Sequence, residues 1–310
     1  MNTKEKVKVL REAATDEAKA IAFFEARRWP DGVACPRCGS VGVHAIIGKD
    51  GQRERHYRWT CKDCKRRFTV RTGTVFEETR LPMRVWAHAY WRCCASKKGV
   101  SALQIKRETG IAYRHALFLL NRIRFGMADT ANPAPLTGTV ECDETYVGGK
   151  PRVKGKGMRE KWSSKVPVVG MVERGGKARM RVVARVTAKT LRAELEAHVA
   201  PSAHLMTDEH PAYGKIGARF FAHDVVKHSA REYARGEAGI NRAESLFAIL
   251  KRKVYGTHHA ISREHLHRYV AEAEFLFNTR KLDDSDRVSA AIKAGEGKRL
   301  TYREPDTAAA

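Results

Sequence analysis

No stretch of this chain is long and apolar enough to span a bilayer, which takes roughly 18 or more consecutive apolar residues. Met1 to Leu10 alternates charge with aliphatics and lacks the apolar heart of a signal peptide. Together these absences lead us to expect a cytoplasmic protein with no membrane partner. Acid is also scarce: 35 Asp and Glu face 59 Lys and Arg, a formal net charge of +24 over 310 residues. A surplus of that size points to a polyanionic partner, of which nucleic acid is the usual one. The plainer alternative is a chain made basic for solubility or for adhesion to an acidic membrane. Cysteine is limited to seven residues, and Cys93, Cys94 and Cys142 stand at no spacing that suggests a disulfide framework, so a reducing compartment fits. There is no internal repeat.

What is present divides the chain. Hydrophobic residues make up 43%, enough for a packed core, and 310 residues accommodate two or three domains. Residues 1–30 read as one helix, ended by Trp29-Pro30. Residues 31–76 form a loop-rich, cysteine-bearing module, and residues 77–131 a helical one, closed by the breaker Asn132-Pro133-Ala134-Pro135. Residues 132–282 alternate strand and helix. Thr139 to Gly148, Val166 to Val172, Met180 to Val186, Ala203 to Thr207 and 221–228 read as strands, Lys189 to Val199, Asn241 to Val254 and Glu264 to Arg280 as helices. The class is therefore α/β and multidomain, with a mixed sheet in the last domain. Residues 283–310, rich in Ala, Gly and charge, read as a loosely held tail.

The first chemistry lies in the cysteine module. Cys35-Pro-Arg-Cys38 and Cys61-Lys-Asp-Cys64 place two thiolates on each of two turns, and two such turns can close a tetrahedron around one structural Zn²⁺. A redox dithiol is the alternative, weakened by the doubling of the motif. Around the second pair, Arg58, Arg66 and Arg67 lie in a basic run interleaved with Tyr57 and Trp59, which suits contact with DNA phosphates; a solvated charged face is the competing account. In the helical module, Ser101 caps eight helical residues, Gly110 supplies the turn, and a second helix begins near Ala112. That is helix-turn-helix punctuation, with Arg114 placed for the major groove of double-stranded DNA.

The second chemistry is acidic. Strand alternation puts Asp143 on the opposite face from Val140 and Cys142, and Asp208 ends a later strand, at the rim where open α/β sheets place ligands. Glu244 follows on a helix whose apolar stripe is Ala243, Phe247, Leu250 and Val254. Lys251 lies nearly two turns on, on the face of Glu244, and Asn241 is close to that face. Two strand aspartates and a helical glutamate can hold a pair of Mg²⁺ or Mn²⁺ ions for phosphoryl transfer, with Lys251 positioning a phosphate.

Taken together, the two cysteine pairs with Arg71-Thr-Gly-Thr-Val-Phe76, the run Glu141-Cys-Asp-Glu-Thr-Tyr-Val-Gly-Gly-Lys150, Thr207-Asp-Glu-His-Pro-Ala-Tyr213, His228-Ser229, Asn241-Arg-Ala-Glu-Ser-Leu-Phe-Ala-Ile-Leu-Lys-Arg252 and Gly256-Thr-His-His259 resemble a known family. It is that of the zinc-ribbon-bearing DDE transposases of bacterial insertion sequences, the insertion-sequence 1595 type. The resemblance runs from about Glu25 to Arg280. It implies a ribonuclease H-like catalytic domain, metal-dependent cleavage at terminal repeats, transfer of 3′ ends into target DNA, and a nucleoid-associated homodimer or larger assembly. By the resemblance Asp143 and Asp208 are metal ligands, and the third position is Glu or Asn, so both Glu244 and Asn241 stand for it, with Glu244 preferred. The segment Lys150 to Lys165, with Lys154 and Lys156, reads as a flexible arm on the DNA backbone or an ordinary solvated loop. A regulator with a retired nuclease fold, and a nuclease that does not join ends, are the alternatives.

Overall fold

The computed structural model describes residues 2–128, 134–148, 165–226, 234–235 and 238–300. The chain divides into two compact units, Met1–Ala128 with Leu282–Ala310, and Asp129–Lys281.

The first unit begins with two helices, α1 (Thr3–Ala13) and α2 (Glu17–Arg28), where the sequence reading expected one. The cause is capping. Asn2 and Glu5 close a capping box on α1, and Asp16 adopts an extended backbone and accepts the Lys19 amide at 2.8 Å, which starts a new helix. Strands β1 (Val43–Ala45), β2 (Trp59–Cys61) and β3 (Arg67–Phe68) then pair antiparallel in that order. Helices α3 (Met83–Ala95), α4 (Ala102–Thr109) and α5 (Tyr113–Met127) complete the stretch. Trp86 and Tyr90, one turn apart on α3, meet Phe76 with ring centroids 4.9 and 5.9 Å away, and Phe24 of α2 lies edge-on to Phe76 at 5.1 Å. All four rings are buried, and rings of that size dominate a small core.

The second unit is a five-stranded mixed sheet between layers of helix. Its strands are β4 (Thr139–Val147), β5 (Val166–Glu173), β6 (Ala178–Val182), β7 (His204–Asp208) and β8 (Ala222–Val226), in the order β6-β5-β4-β7-β8. β4, β5 and β6 pair antiparallel, while β4, β7 and β8 run parallel. Helix α6 (Ala188–His198) crosses from β6 to β7 and packs Leu191 and Leu195 on the face that carries Val140 and Cys142. Helices α7 (Asn241–Lys253) and α8 (Leu266–Asn278) cover the other face through Ala243, Phe247, Leu250, Val270 and Ala273. The arrangement is ribonuclease H-like. Gly170 of β5 pairs with Asp143, and a Cβ there would stand 2.7 Å from the Phe247 ring, so the glycine lets α7 sit close against the sheet beside Asp143.

The segment expected to be a loose tail contains helix α9 (Asp284–Ala294), which packs on α1, α2, α3 and α5. Its composition is polar, but Val288, Ala291 and Ile292 recur at helical spacing and are buried. Asp283 caps it by accepting the Asp286 amide at 2.8 Å, and Lys6 bonds Asp283 and Asp286 at 3.2 and 2.8 Å.

Candidate functional site

The four cysteines of the two pairs, Cys35, Cys38, Cys61 and Cys64, converge. Cys35 and Cys64 Sγ lie 3.8 Å apart, Cys38 and Cys61 Sγ 3.6 Å, and all four sulfurs fall within 4.8 Å of one another. A zinc ion with four bonds of about 2.3 Å requires sulfur–sulfur edges of about 3.8 Å, so the spacing fits a closed tetrahedral site. The turns that present the thiols are fixed by backbone bonds, Gly39 N–H to Cys35 O at 2.9 Å and Cys61 N–H to Arg66 O at 3.1 Å. The amide of Cys64, working against burial and helped by that of Asp63, pulls the Cys61 thiol down to about 6, toward the thiolate that binds metal.

In the second unit, β4 and β7 are parallel neighbours and α7 packs over β4 and β5, and the charges of Asp208 and Glu244 both reach Asp143, so the three acids come to one region. Desolvation raises the Asp143 carboxyl from 3.8 to about 7, and the charges of Glu144, Asp208 and Glu244 push in the same direction, against the Glu144 amide that bonds Asp143 Oδ1 at 2.7 Å. Asp208 Oδ1 accepts the His210 amide at 3.0 Å, which sets its side chain at the end of β7. Among the described residues only the four thiols approach mutually within 4.8 Å, so the three acids stand wider than a set gathered on a single ion. Glu244, Asn241 and Lys251 are all exposed on α7.

Four further residues, Glu141, Arg174, Glu144 and Tyr213, build this site, and the motif reading assigned them no role. Glu141, two residues before Asp143 on the same face, is only 2% exposed. Its Oε2 accepts the amide of Arg242 at 2.7 Å and that of Ala243 at 3.3 Å, at the N-terminus of α7, and its Oε1 accepts Arg174 Nε at 2.8 Å. Arg174 also donates to Gly239 O at 3.1 Å. Glu141 thus ties the helix of Glu244 to the strand of Asp143, with an anion where the helix dipole favours one. Tyr213 donates to Glu144 Oε2 at 2.7 Å, and burial raises the Glu144 carboxyl against that hydrogen bond. The signal was available: alternation puts Glu141 on the side of Asp143, facing a covered layer, where an acid requires partners.

The predicted DNA contacts separate. Arg66 and Arg67 are exposed beside Cys64, and Arg114 is exposed at the start of α5, after a turn in which Ser101 caps α4 and Gly110 holds φ 74°. Arg58 differs from expectation, because its Nη2 donates to Glu54 Oε2 at 2.5 Å and the guanidinium is held in that pair. Lys154, Lys156, His228 and most of the expected arm lie outside the described residues. Among the described residues no helix is long and apolar enough to cross a membrane.

Residues 135–278 match the model of the ISXO2-like transposase domain, and residues 15–67 that of the transposase zinc-ribbon domain. A protein of Halobacterium salinarum described as an uncharacterized protein in transposable element ISH50 is 29% identical over 269 residues, spanning 82% of this chain and 88% of the relative. Among solved structures, a chain from the simian T-cell lymphotropic virus intasome in complex with PP2A regulatory subunit B56 gamma aligns over 55% of this chain and 63% of its own length, at 14% identity and a TM-score of 0.28. Each of the two units thus contains a stretch that matches a domain of the insertion-sequence 1595 type of transposase, a zinc ribbon in the first and the transposase domain in the second.

Proposed function

We propose that this chain binds the terminal repeats of its insertion sequence, nicks them hydrolytically and transfers the resulting 3′ ends to target DNA. The observation that carries the reading is the convergence of Asp143, Asp208 and Glu244 on one side of the sheet, close enough for the charges of the other two to help raise Asp143. Hard carboxylate oxygens of this kind suit Mg²⁺ or Mn²⁺. When bound, such a pair of ions activates the attacking water or 3′-hydroxyl and steadies the leaving oxygen. Asp143 and Asp208 serve as ligands from adjacent parallel strands. Glu244, whose charge acts on Asp143, is the third ligand in preference to Asn241 at the first position of α7. Lys251, exposed two turns along α7, positions a phosphate of the scissile strand. The four cysteines hold zinc and so fix the ribbon, while Arg66, Arg67 and Arg114 contact the element ends. Two ends must be brought together, so the working form is a homodimer or larger, acting on the cytoplasmic nucleoid.

The test uses a labelled terminal repeat with Mg²⁺, comparing the parent with Asp143→Asn and Asp208→Asn. The parent nicks and joins; both variants bind without cleaving. Binding without cleavage by the parent would favour a regulator, and cleavage without joining a nuclease.

A further inference from the structure

The first unit contains a cavity of about 500 Å³ that no cysteine or acid of the proposed chemistry touches. Its wall carries Arg55, His56 and Tyr57 from the turn before β2, and Arg80 and Arg84 from the approach to α3. Its floor is apolar, formed by Ile21, Val70 and Pro82. The cationic groups fall into two classes. Arg58 is paired with Glu54, and Arg71 donates to the carbonyls of Thr79 and Leu81 at 2.8 and 2.9 Å, so both are structural. Arg55, Arg80 and Arg84 are exposed, and among the described residues none of their guanidiniums has a hydrogen-bond or ion-pair partner. The one carboxylate in the wall, Glu17, is committed to the first amides of α3, accepting from Met83 N–H at 2.8 Å and Arg84 N–H at 3.0 Å. Tyr57 holds φ 51°, a left-handed backbone that costs a non-glycine residue about 1–2 kcal/mol. The turn that brings Arg55 and His56 to the cavity is therefore maintained against a local cost.

From this geometry we infer that the cavity is a binding site for the sugar-phosphate backbone of DNA, with Arg55, Arg80 and Arg84 on successive phosphates and the apolar floor under the deoxyribose. Guanidiniums from two separate segments, converging with no acid left to answer them, suit an anion that is extended and repeats. The chain's surplus of +24 favours a polyanion over a single small anion. The site lies beside the ribbon but recruits Arg80 and Arg84, which the basic run around the second cysteine pair does not include. The inference rests on the transposase reading only for the identity of the polyanion.

The experiment measures affinity of the full-length, zinc-loaded chain for a fluorescent duplex as a function of salt. It compares the parent with Arg55→Ala/Arg80→Ala/Arg84→Ala and with a control of equal charge change, Arg185→Ala/Lys189→Ala/Arg192→Ala, three exposed cations of the second unit. Removing one phosphate-binding cation lowers the slope of log K against log salt by about 0.9, so the cavity triple drops it by about 2 to 3 and weakens binding at least about tenfold. The control moves the slope by less than about 1. The three single variants, each lowering it by about 0.9, keep the test decisive should the triple lose zinc or melt early. Replacement of all three by lysine retains most of the slope. Equal drops in cavity and control triples, or no drop in either, overturn the site. An unchanged slope leaves the catalytic reading standing, whereas a parent that binds with this slope and never cleaves overturns that reading and leaves the site.

Discussion

Replacing Asp143 by Asn should stabilise the metal-free chain while abolishing its chemistry. The carboxyl sits at about 7 instead of 3.8, chiefly because it is desolvated and then because Glu144, Asp208 and Glu244 add like charge. Holding a carboxylate charged against that rise costs the folded state as much as about 4 kcal/mol. The sign follows from proton counting. Below pH 3.8 the group is protonated folded and unfolded, and there is no cost. Between 3.8 and 7 the folded chain keeps a proton that the unfolded chain has lost, so stability falls as pH rises, and above 7 the full cost persists. Asparagine removes the charge and can still accept the Glu144 amide that bonds Oδ1 at 2.7 Å. At pH 8 without Mg²⁺ we expect Asp143→Asn to gain about 2–4 kcal/mol, or about 5–15 °C in the melting of a unit of this size, with the gain fading as pH approaches 4. Added Mg²⁺ should stabilise the parent and leave the variant unmoved. Urea titration followed by circular dichroism, on chain with zinc retained, reads all of this. A variant no more stable than the parent at pH 8, or a gain indifferent to pH, would refute the account of Asp143 as a desolvated acid among like charges.

Two other substitutions test how the acids are held. Glu141→Ala strands a partly buried Arg174 and uncaps α7, and should cost about 3–5 kcal/mol in urea unfolding; under conditions where the variant is still folded, DNA affinity should persist while cleavage falls, and wild-type cleavage would show that the Glu141 tether does not position Glu244. Gly170→Ala drives a methyl to 2.7 Å from the Phe247 ring and should cost about 1–3 kcal/mol; trimming the ring with Phe247→Leu in the same chain should recover part of the loss, and an additive double variant would contradict the contact.

What could be read from the residues was whatever is encoded locally. Ser101 and Gly110 stand at the spacing of a cap and a left-handed turn, and the structure places them there. The stripe Ala243, Phe247, Leu250 and Val254 predicted the buried face of α7, and alternation along β4 predicted that Asp143 turns away from Val140 and Cys142. Two cysteine pairs announced their own convergence. Pairings across long separations were not legible in the same way. Arg174 lies 33 residues from Glu141, and the amide of Arg242 lies 101 residues away, so alternation says that Glu141 needs partners but nothing near it says which. Arg58 looked like one more free cation until Glu54, four residues back, claimed it. The break at Asp16 was legible as a capping residue, but a continuous helix suited the composition equally well, and the same preference for composition over spacing hid α9.

The acids of β4 show why environment, more than residue type, assigns the ligand. Glu141, Asp143 and Glu144 lie within four positions of one strand. Glu141 is neutralised by Arg174 and by two helix amides, and both its oxygens are committed. Glu144 takes the Tyr213 hydroxyl at 2.7 Å and has His210 Nε2 at 3.9 Å; because His210 Nδ1 accepts the Ala212 amide, the ring proton lies on the nitrogen that faces Glu144. Asp143 accepts only its neighbour's amide among the described residues, and carries the largest upward displacement among these acids. A carboxylate desolvated by the fold and left without a compensating cation is the group that gains most when a divalent ion arrives. On the proposed function, the same strand that gives its outer acids to structure leaves its central one to chemistry.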